Sequence, residues 1–182
     1  SPNGDRIYFD KTDETGFYSI SRNGGKALRF LVPKREAILG GWSPDGKWFA
    51  YFDGGQLIIT NKAQKQSVNL GLQENATALK WSPDGSRIAL ARSSSGKPDT
   101  AVLVVVNIEQ RKERVLWSAK GTAEVISWSR NGNWIVVSRT KPESMFDQQL
   151  VAVSLARKDN ITLVSPTTGT FGFDWLEIGK CR

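Results

Sequence analysis

The feature that most constrains this chain is a five-residue motif that occurs twice. Trp-Ser-Pro-Asp-Gly stands at Trp42–Gly46 and again at Trp81–Gly85. Partial copies stand at Ser1–Gly4 (Ser-Pro-Asn-Gly) and at Trp128–Gly132 (Trp-Ser-Arg-Asn-Gly), and Trp175 follows Trp128 by 47 residues. A recurrence of this length, with units starting near residues 1, 43, 82 and 129, indicates an array of similar structural units.

Each copy of the motif has the chemistry of a hairpin turn. Its serine can accept a hydrogen bond from the turn backbone, its proline presets φ, and its glycine supplies the left-handed conformation. The recurring acids and tryptophans could instead hold a metal or stack on sugars or bases, but turn geometry and packing explain each copy locally, so no metal site is predicted. The residues assigned to this structural role are Trp42, Pro44, Asp45, Gly46, Trp81, Pro83, Asp84, Gly85, Trp128, Gly132 and Trp175.

The second strand of each unit is a short apolar run that follows the turn, at residues 6–9, 48–52, 87–91 and 134–137. They are almost continuously apolar, which is typical of strands covered on both faces. A third and a fourth strand follow in each unit. The chain then returns through the first strand of the next unit, which leads into the next tryptophan. No segment has a convincing helical period. The sequence therefore predicts an all-β fold, a β-propeller of four-stranded blades.

The two ends of the chain complement each other. The C-terminal stretch reads Gly-Phe-Asp-Trp at 172–175 without a following Ser-Pro-Asp-Gly, and the N-terminus begins with the turn that lacks its tryptophan. We predict that a closing strand at 170–178 pairs beside the segment that starts at Arg6, so that residues 1–182 form one four-bladed domain whose terminal strands share a blade. Such closure protects the sheet edges. A piece of a larger ring, or a ring shared by two chains, remains the alternative.

These motifs resemble the TolB-type propeller repeat, a relative of the WD repeat. Trp42–Ala50 and Trp81–Ala89 match its signature closely, and Ser1–Tyr8 and Trp128–Ile135 match it partially. The resemblance implies a protein-binding scaffold that is periplasmic or extracellular. TolB has an additional N-terminal domain and more blades, which this chain does not show. Related repeats also form the gating propellers of prolyl-oligopeptidase-like peptidases, so a propeller subdomain of a larger enzyme is the second hypothesis.

The composition argues against an enzyme. The 182 residues include no histidine and one cysteine, Cys181, which removes Ser-His and Cys-His catalysis, internal disulfides and cysteine metal clusters. The net charge is +7, but lysine and arginine are scattered, so nucleic acid is not the expected partner. No apolar run approaches the roughly 20 residues that span a bilayer. We expect a non-enzymatic module, without a cofactor, that is a monomer or a ring-sharing homodimer.

The predicted binding surface lies at the ends of the second strands, seven residues after each turn glycine, where Lys11, Asp53, Arg92 and Arg139 stand. This face of a propeller lies opposite the turn tips and also carries the loops 33–36 and 118–122 and the longer connections 93–100 and 139–147. The further residues assigned to it are Lys34, Arg35, Lys97, Lys120, Lys141, Met145 and Phe146. We predict that it binds an acidic protein surface and that charge reversal at Arg92 and Arg139 weakens binding without lowering the melting temperature. A carbohydrate or anionic-polymer ligand is the third hypothesis, and Trp117, off the repeat, is a candidate surface residue.

Overall fold

A computed structural model of the chain describes residues 1–11, 14–61, 66–73, 75–76, 78–94, 96–143, 148–156 and 160–167. These residues form fifteen β-strands and contain no helix. The prediction of an all-β architecture is therefore confirmed for the part of the chain that the structure describes.

The strands form four antiparallel sheets in chain order. The first sheet contains β1 (Arg6–Asp10), β2 (Phe17–Ser21) and β3 (Leu28–Leu31). The second contains β4 (Ala37–Trp42), β5 (Trp48–Asp53), β6 (Gln56–Asn61) and β7 (Ser67–Leu72), and the third contains β8 (Leu79–Trp81), β9 (Arg87–Ser94), β10 (Lys97–Asn107) and β11 (Lys112–Lys120). The fourth contains β12 (Thr122–Trp128), β13 (Trp134–Thr140), β14 (Gln148–Ser154) and β15 (Asn160–Thr167). The predicted second, third and fourth strands of each unit are present with small shifts of their ends.

Apolar side chains hold successive sheets together. The second strands are nearly dry: Phe49, Ile88 and Ile135 are at most 1% exposed. One buried cluster joins the second and third sheets through residues such as Leu57 and Leu90, and another joins the third and fourth sheets. An aromatic cluster around Phe49 joins the first sheet to the second. These contacts explain the continuous apolar runs of the second and third sheets, because the middle strands there meet a neighbouring sheet on each face.

The four turns share one hydrogen-bonding pattern. The hydroxyl oxygens of Ser1, Ser43, Ser82 and Ser129 each accept a hydrogen bond from the backbone N–H five residues later, at 2.9–3.0 Å. The glycine of each turn donates its N–H to the carbonyl of that same serine and has φ between +68° and +73°. The predicted roles of the serine and the glycine are therefore met in all four copies, including the one in which Arg130 replaces proline.

Some predicted details were wrong. The connection predicted at 93–100 is largely a strand extension, because β9 continues to Ser94 and β10 begins at Lys97. The loop predicted at 118–122 is reduced to Gly121, since β11 and β12 occupy the rest. Trp117 is not a surface residue, because it is 9% exposed and packs in the core between the third and fourth sheets. The closing strand predicted at 170–178, with Trp175, lies outside the described residues, so the number of blades and the closure of the ring stay predictions.

Candidate functional site

Two motif tryptophans connect the first strands of neighbouring four-stranded sheets, β4, β8 and β12, which we call the inner strands. The indole N–H of Trp81 donates to the Gly41 carbonyl at 2.9 Å, and that of Trp128 donates to the Lys80 carbonyl at 3.0 Å. The acceptor residues Gly41 and Lys80 stand immediately before Trp42 and Trp81, the motif tryptophans of the preceding units. The same residues line a shallow cleft with the flanking turn prolines. The polar atoms of these two tryptophans are therefore used in contacts between sheets.

The acid of the turn is held by local hydrogen bonds. Asp84 accepts from the Ser82 hydroxyl at 2.5 Å, from the Ser86 N–H at 3.1 Å and from the Ser86 hydroxyl at 2.8 Å. Partial burial opposes ionisation, but these hydrogen bonds outweigh it and lower the pKa of Asp84 to about 2. Within the described residues, no group of three or more acidic or cysteine side chains could hold a metal ion.

Replacing Asp84 by asparagine tests this arrangement. Because the folded-state pKa is depressed, the charge stabilises the fold above the ordinary pKa near 3.8 and this contribution is lost as the pH falls towards 2. Asp84→Asn should cost less than about 1 kcal/mol at neutral pH, because the side chain is 57% exposed. Urea unfolding between pH 5 and pH 2 should show a shrinking difference from the original protein.

The fourth turn supplies the matched control for this substitution. There Asn131 already accepts hydrogen bonds from the Ser129 hydroxyl at 2.8 Å and from the Asn133 N–H at 3.0 Å. Asn131→Asp should therefore add to the free energy of unfolding a contribution that is lost in acid, whereas Asp84→Asn removes such a contribution. If both variants keep the original pH profile, the turn carboxylate is not the group that senses acid.

The opposite face is assembled by contacts between loops and hairpins. The Gly54 N–H donates to the Glu36 carbonyl, and the Gly121 N–H donates to the Asp99 carbonyl at 2.7 Å. The first bond joins the loop before β4 to the hairpin between β5 and β6. The second joins the residue between β11 and β12 to β10. Each of these two connections is therefore held to a hairpin of a sheet that adjoins it in the chain.

The loop that carries Lys34 and Arg35 is fixed by one carboxylate. Asp53 accepts the Arg35 N–H at 2.8 Å and the Lys34 N–H at 3.1 Å. Gly54 lies so close that a Cβ atom there would stand 2.5 Å from Arg35 Cδ. Both basic residues are exposed. The backbone of this loop is thus held to the second sheet while its two cationic side chains face solvent.

Two clefts flank this loop. One, of about 520 Å³, lies between the first and second sheets and is lined by Lys11, Lys34 and Arg35 together with Asp10, Glu14 and Glu36. The other, of about 330 Å³, is lined by the same loop and by residues of the second sheet that include Tyr51 and Asn69. The first cleft therefore presents charges of both signs rather than a uniformly positive surface.

Lys11 already has partners in the first cleft. Its ammonium group donates to Glu14 at 2.8 Å and lies 4.5 Å from the centroid of the Tyr18 ring. The Tyr18 hydroxyl also donates to Glu14. The hydrogen bonds from Lys11 and from Tyr18 lower the pKa of Glu14. Lys11 therefore belongs to a local polar cluster.

Arg92 is paired with a carboxylate of its own sheet, the third. Its guanidinium donates to Glu113 at 3.0 Å, and its side chain is 16% exposed. Glu113 also accepts from the Gln73 amide at 2.8 Å, and Gln73 is 2% exposed. Reversing the charge of Arg92 would set two carboxylates against each other, so a change in binding could not be separated from a loss of stability. Arg92 is therefore a poor test residue for the predicted surface.

The other predicted residues fall into three groups. Arg139 is half-buried and donates to the Lys120 carbonyl at 2.9 Å and to Gln149 at 3.1 Å. Lys97 is exposed near the tip of the β9–β10 hairpin, and Lys141 is half-buried after β13. Met145 and Phe146 lie outside the described residues. Among the basic residues assigned to this face, those with exposed side chains are Lys34, Arg35, Lys97 and Lys120.

Sequence reasoning missed the anchoring residues of this face. Asp53 was the one acid among four otherwise basic positions, and its role is to bind the neighbouring loop. Its position before Gly54 and Gly55 was the available signal, since two glycines allow close approach of another segment. The Gln73–Glu113 contact joins residues 40 apart in the chain, and no local pattern announces it.

Comparison with solved structures gives the fold class. A protein described as a TolB from Agrobacterium tumefaciens matches with a TM-score of 0.72 and 19% identity, over 90% of this chain and 62% of that one. TolB from Acinetobacter baumannii matches with a TM-score of 0.67 and 14% identity, over 84% of this chain and 38% of that one. Dipeptidyl peptidase 4 from Porphyromonas gingivalis matches with a TM-score of 0.62 and 12% identity, over 90% of this chain and 31% of that one.

The chain has the fold of a β-propeller. Its structural neighbours include TolB-type propellers, so the likeness first read from the turn motifs is confirmed at the level of the fold. The chain spans between 38% and 62% of the length of these two TolB structures. No protein-family model and no curated protein matches the sequence. Within its described part, the chain has no helical segment with the length and hydropathy that a bilayer crossing requires.

Proposed function

We propose that this chain is a non-enzymatic binding module that presents the loop face opposite its turn tips to an acidic protein surface. The observation that carries the proposal is the exposed Lys34–Arg35 pair on a loop whose backbone is held by Asp53. A loop that is already ordered loses little conformational entropy when a partner binds. Lys97 and Lys120 add two further exposed cations to the same face. The TolB-like fold supports the proposal as an analogy only.

The clefts beside this loop refine the partner. Since the larger cleft also contains Asp10, Glu14 and Glu36, a purely anionic polymer would meet repulsion there. A folded or extended protein segment with carboxylates spaced to meet Lys34 and Arg35, and with uncharged or basic groups between them, suits the mixed charge. This favours a protein partner over a uniformly anionic polysaccharide.

The test is a double charge reversal at Lys34 and Arg35. Fluorescence anisotropy would measure binding of a labelled peptide in which Glu and Asp alternate with uncharged residues, at low salt, to the original chain and to Lys34→Glu/Arg35→Glu. We expect the reversal to raise Kd about tenfold or more, about 1.4 kcal/mol, with an unchanged melting temperature because both side chains are exposed. Sulfated and uronic-acid oligosaccharides are measured in parallel.

The matched control reverses the charges of Arg22 and Lys26, two exposed cations in the turn between β2 and β3 of the first sheet. This double variant has the same net charge as the test variant, so it separates a local site from general attraction. Equal weakening by both variants, or tight binding of the oligosaccharides without binding of the peptide, would contradict the proposal.

A second candidate function is the propeller subdomain of a larger enzyme. The likeness to a dipeptidyl peptidase over 90% of this chain favours it, although at 12% identity that likeness concerns the fold alone. A reading frame that continues into a domain with a Gly-x-Ser-x-Gly motif would support this function over the first.

A periplasmic or extracellular location forms part of the main proposal. Its support is the TolB-like fold. Fractionation of cells that express the full reading frame, with detection by an antibody against this chain, tests the location. Recovery in the cytosolic fraction would contradict it.

A further inference from the structure

Of the two clefts beside the loop that carries Lys34 and Arg35, the smaller one lies against the second sheet, and we call it the Tyr51 cleft. It has a volume of about 330 Å³, and its described lining sets two cations, Lys34 and Arg35, against one carboxylate, that of Asp53. The larger cleft sets three basic residues against three acids. The Tyr51 cleft is therefore the one with an excess of positive charge.

A buried tyrosine contributes to the lining of this cleft. Tyr51 lies in β5 and is 8% exposed, because its ring packs against Phe17, with the centroids 5.6 Å apart, and against Phe49, at 6.1 Å. Its hydroxyl has no hydrogen-bond partner among the described residues. Burial, and after it the Asp53 carboxylate, raises the pKa of Tyr51, so the hydroxyl keeps its proton at neutral pH and can donate.

The hydrogen bonds within the cleft use its acceptors. Both carboxylate oxygens of Asp53 accept backbone N–H groups of the loop. The Gln56 side-chain oxygen accepts from the Asn69 amide at 2.5 Å, and the Asn69 oxygen accepts from the Gly71 N–H at 2.8 Å. The Tyr51 hydroxyl and the amide N–H groups of Gln56 take part in none of these bonds. A ligand that suits this balance is rich in acceptors, and a carboxylate supplies two acceptor oxygens and a negative charge.

We propose that one glutamate or aspartate side chain of a protein partner enters the Tyr51 cleft, accepts a hydrogen bond from the Tyr51 hydroxyl and lies against Lys34 and Arg35. The inference rests on the proposed function and adds the group that recognises the partner. The two cations are exposed and attract any anion, whereas the hydroxyl is reached only by a carboxylate that enters the cleft. A hydrogen bond to a charged group that is partly removed from water is stronger than the same bond at an open surface.

The test is Tyr51→Phe, which removes the hydroxyl and keeps the ring that packs against Phe17 and Phe49. The probe is the labelled peptide of alternating acidic and uncharged residues, made with a C-terminal amide so that its carboxylates belong to side chains. We expect Kd to rise about tenfold, because a hydrogen bond to a charged group is lost. The melting temperature should not fall, since the hydroxyl has no partner in the free chain.

Tyr18→Phe is the matched control. It removes a tyrosine hydroxyl that donates to Glu14, a residue of the larger cleft. It should leave Kd within about twofold of the original value, since no bond to the partner is assigned there. Equal weakening by Tyr18→Phe and Tyr51→Phe would overturn the proposal.

A set of peptides in which each acidic residue in turn is replaced by its amide identifies the carboxylate that binds. One replacement should weaken binding to the original chain about tenfold and have a much smaller effect on Tyr51→Phe, as expected for two groups in contact. If Tyr51 served only the packing of the sheet, Tyr51→Phe would lower the affinity for every peptide by the same factor. That result would overturn the proposal.

The remaining outcomes separate this inference from the proposed function. If Lys34→Glu/Arg35→Glu weakens binding and Tyr51→Phe does not, the role of the Tyr51 cleft is wrong and the proposed function stands. Binding that requires a free C-terminal carboxylate on the peptide would assign the cleft to a chain end and overturn the side-chain proposal. If the peptide does not bind the original chain at all, both proposals are overturned.

Discussion

Phe49→Ala should be one of the most destabilising single substitutions in this chain. The ring is 1% exposed and lies at the centre of the aromatic cluster between the first and second sheets. Its centroid is 5.1 Å from that of Phe30, 5.2 Å from Trp42 and 5.9 Å from Phe17. Removing a buried phenylalanine side chain costs about 3–5 kcal/mol, since the cavity cannot collapse fully. Thermal unfolding should show a melting temperature lower by about 6–20 °C.

Leu28→Ala is the matched control, because it removes a large apolar side chain from the first sheet at a position that is 54% exposed. It should change the free energy of unfolding by less than about 0.5 kcal/mol. The cluster explains why Phe49→Ala should also loosen the first sheet, which the structure joins to the second by ring contacts. If hydrogen exchange in β2 is unchanged in Phe49→Ala, these contacts are not what holds the first sheet in place.

The sequence was informative about the fold because its strongest signals are local. A turn such as Ser43–Gly46 encodes its own hydrogen bonds and the φ angle of its glycine, and both are found in the structure. Continuous apolar runs such as 87–91 predict strands covered on both faces, and Ile88, Ala89 and Leu90 are fully buried. Strand ends were less predictable, because the extension of β9 to Ser94 depends on pairing with β10 and not on local composition.

The candidate site was predicted only in part, for a physical reason. The topology of a four-stranded blade places second-strand ends and incoming loops on one face, and contacts such as Arg139 with Lys120 show that they meet there. Whether a basic side chain on that face is free depends on its neighbours in other strands. Arg92 is bound by Glu113, which lies two strands away, whereas Lys34 and Arg35 are exposed because Asp53 takes their backbone N–H groups instead. Tertiary pairing of this kind cannot be read from spacing along the chain.

Gly40→Ala should also destabilise the chain strongly, although it adds a single methyl group. Gly40 lies in β4 where the pairing with β5 is irregular, and a Cβ atom there would stand 2.0 Å from the Ala50 carbonyl oxygen and 3.0 Å from a Leu79 methyl carbon. The nearest atom belongs to the backbone of the paired strand, so relief requires β4 to move away from β5. We expect a loss of about 3 kcal/mol. The melting temperature should fall by about 6–12 °C.

The adjacent glycine makes this prediction specific. A Cβ atom on Gly41 would meet no atom within 4 Å, so Gly41→Ala should stay within about 0.5 kcal/mol of the original protein when both variants are unfolded in urea. Two neighbouring glycines in one inner strand thus differ in what they permit: Gly40 allows β5 to approach, and Gly41 presents its carbonyl to Trp81. If the two alanine variants were equally stable, the close approach of β4 and β5 would not be what requires glycine at position 40, and the irregular pairing would need another cause.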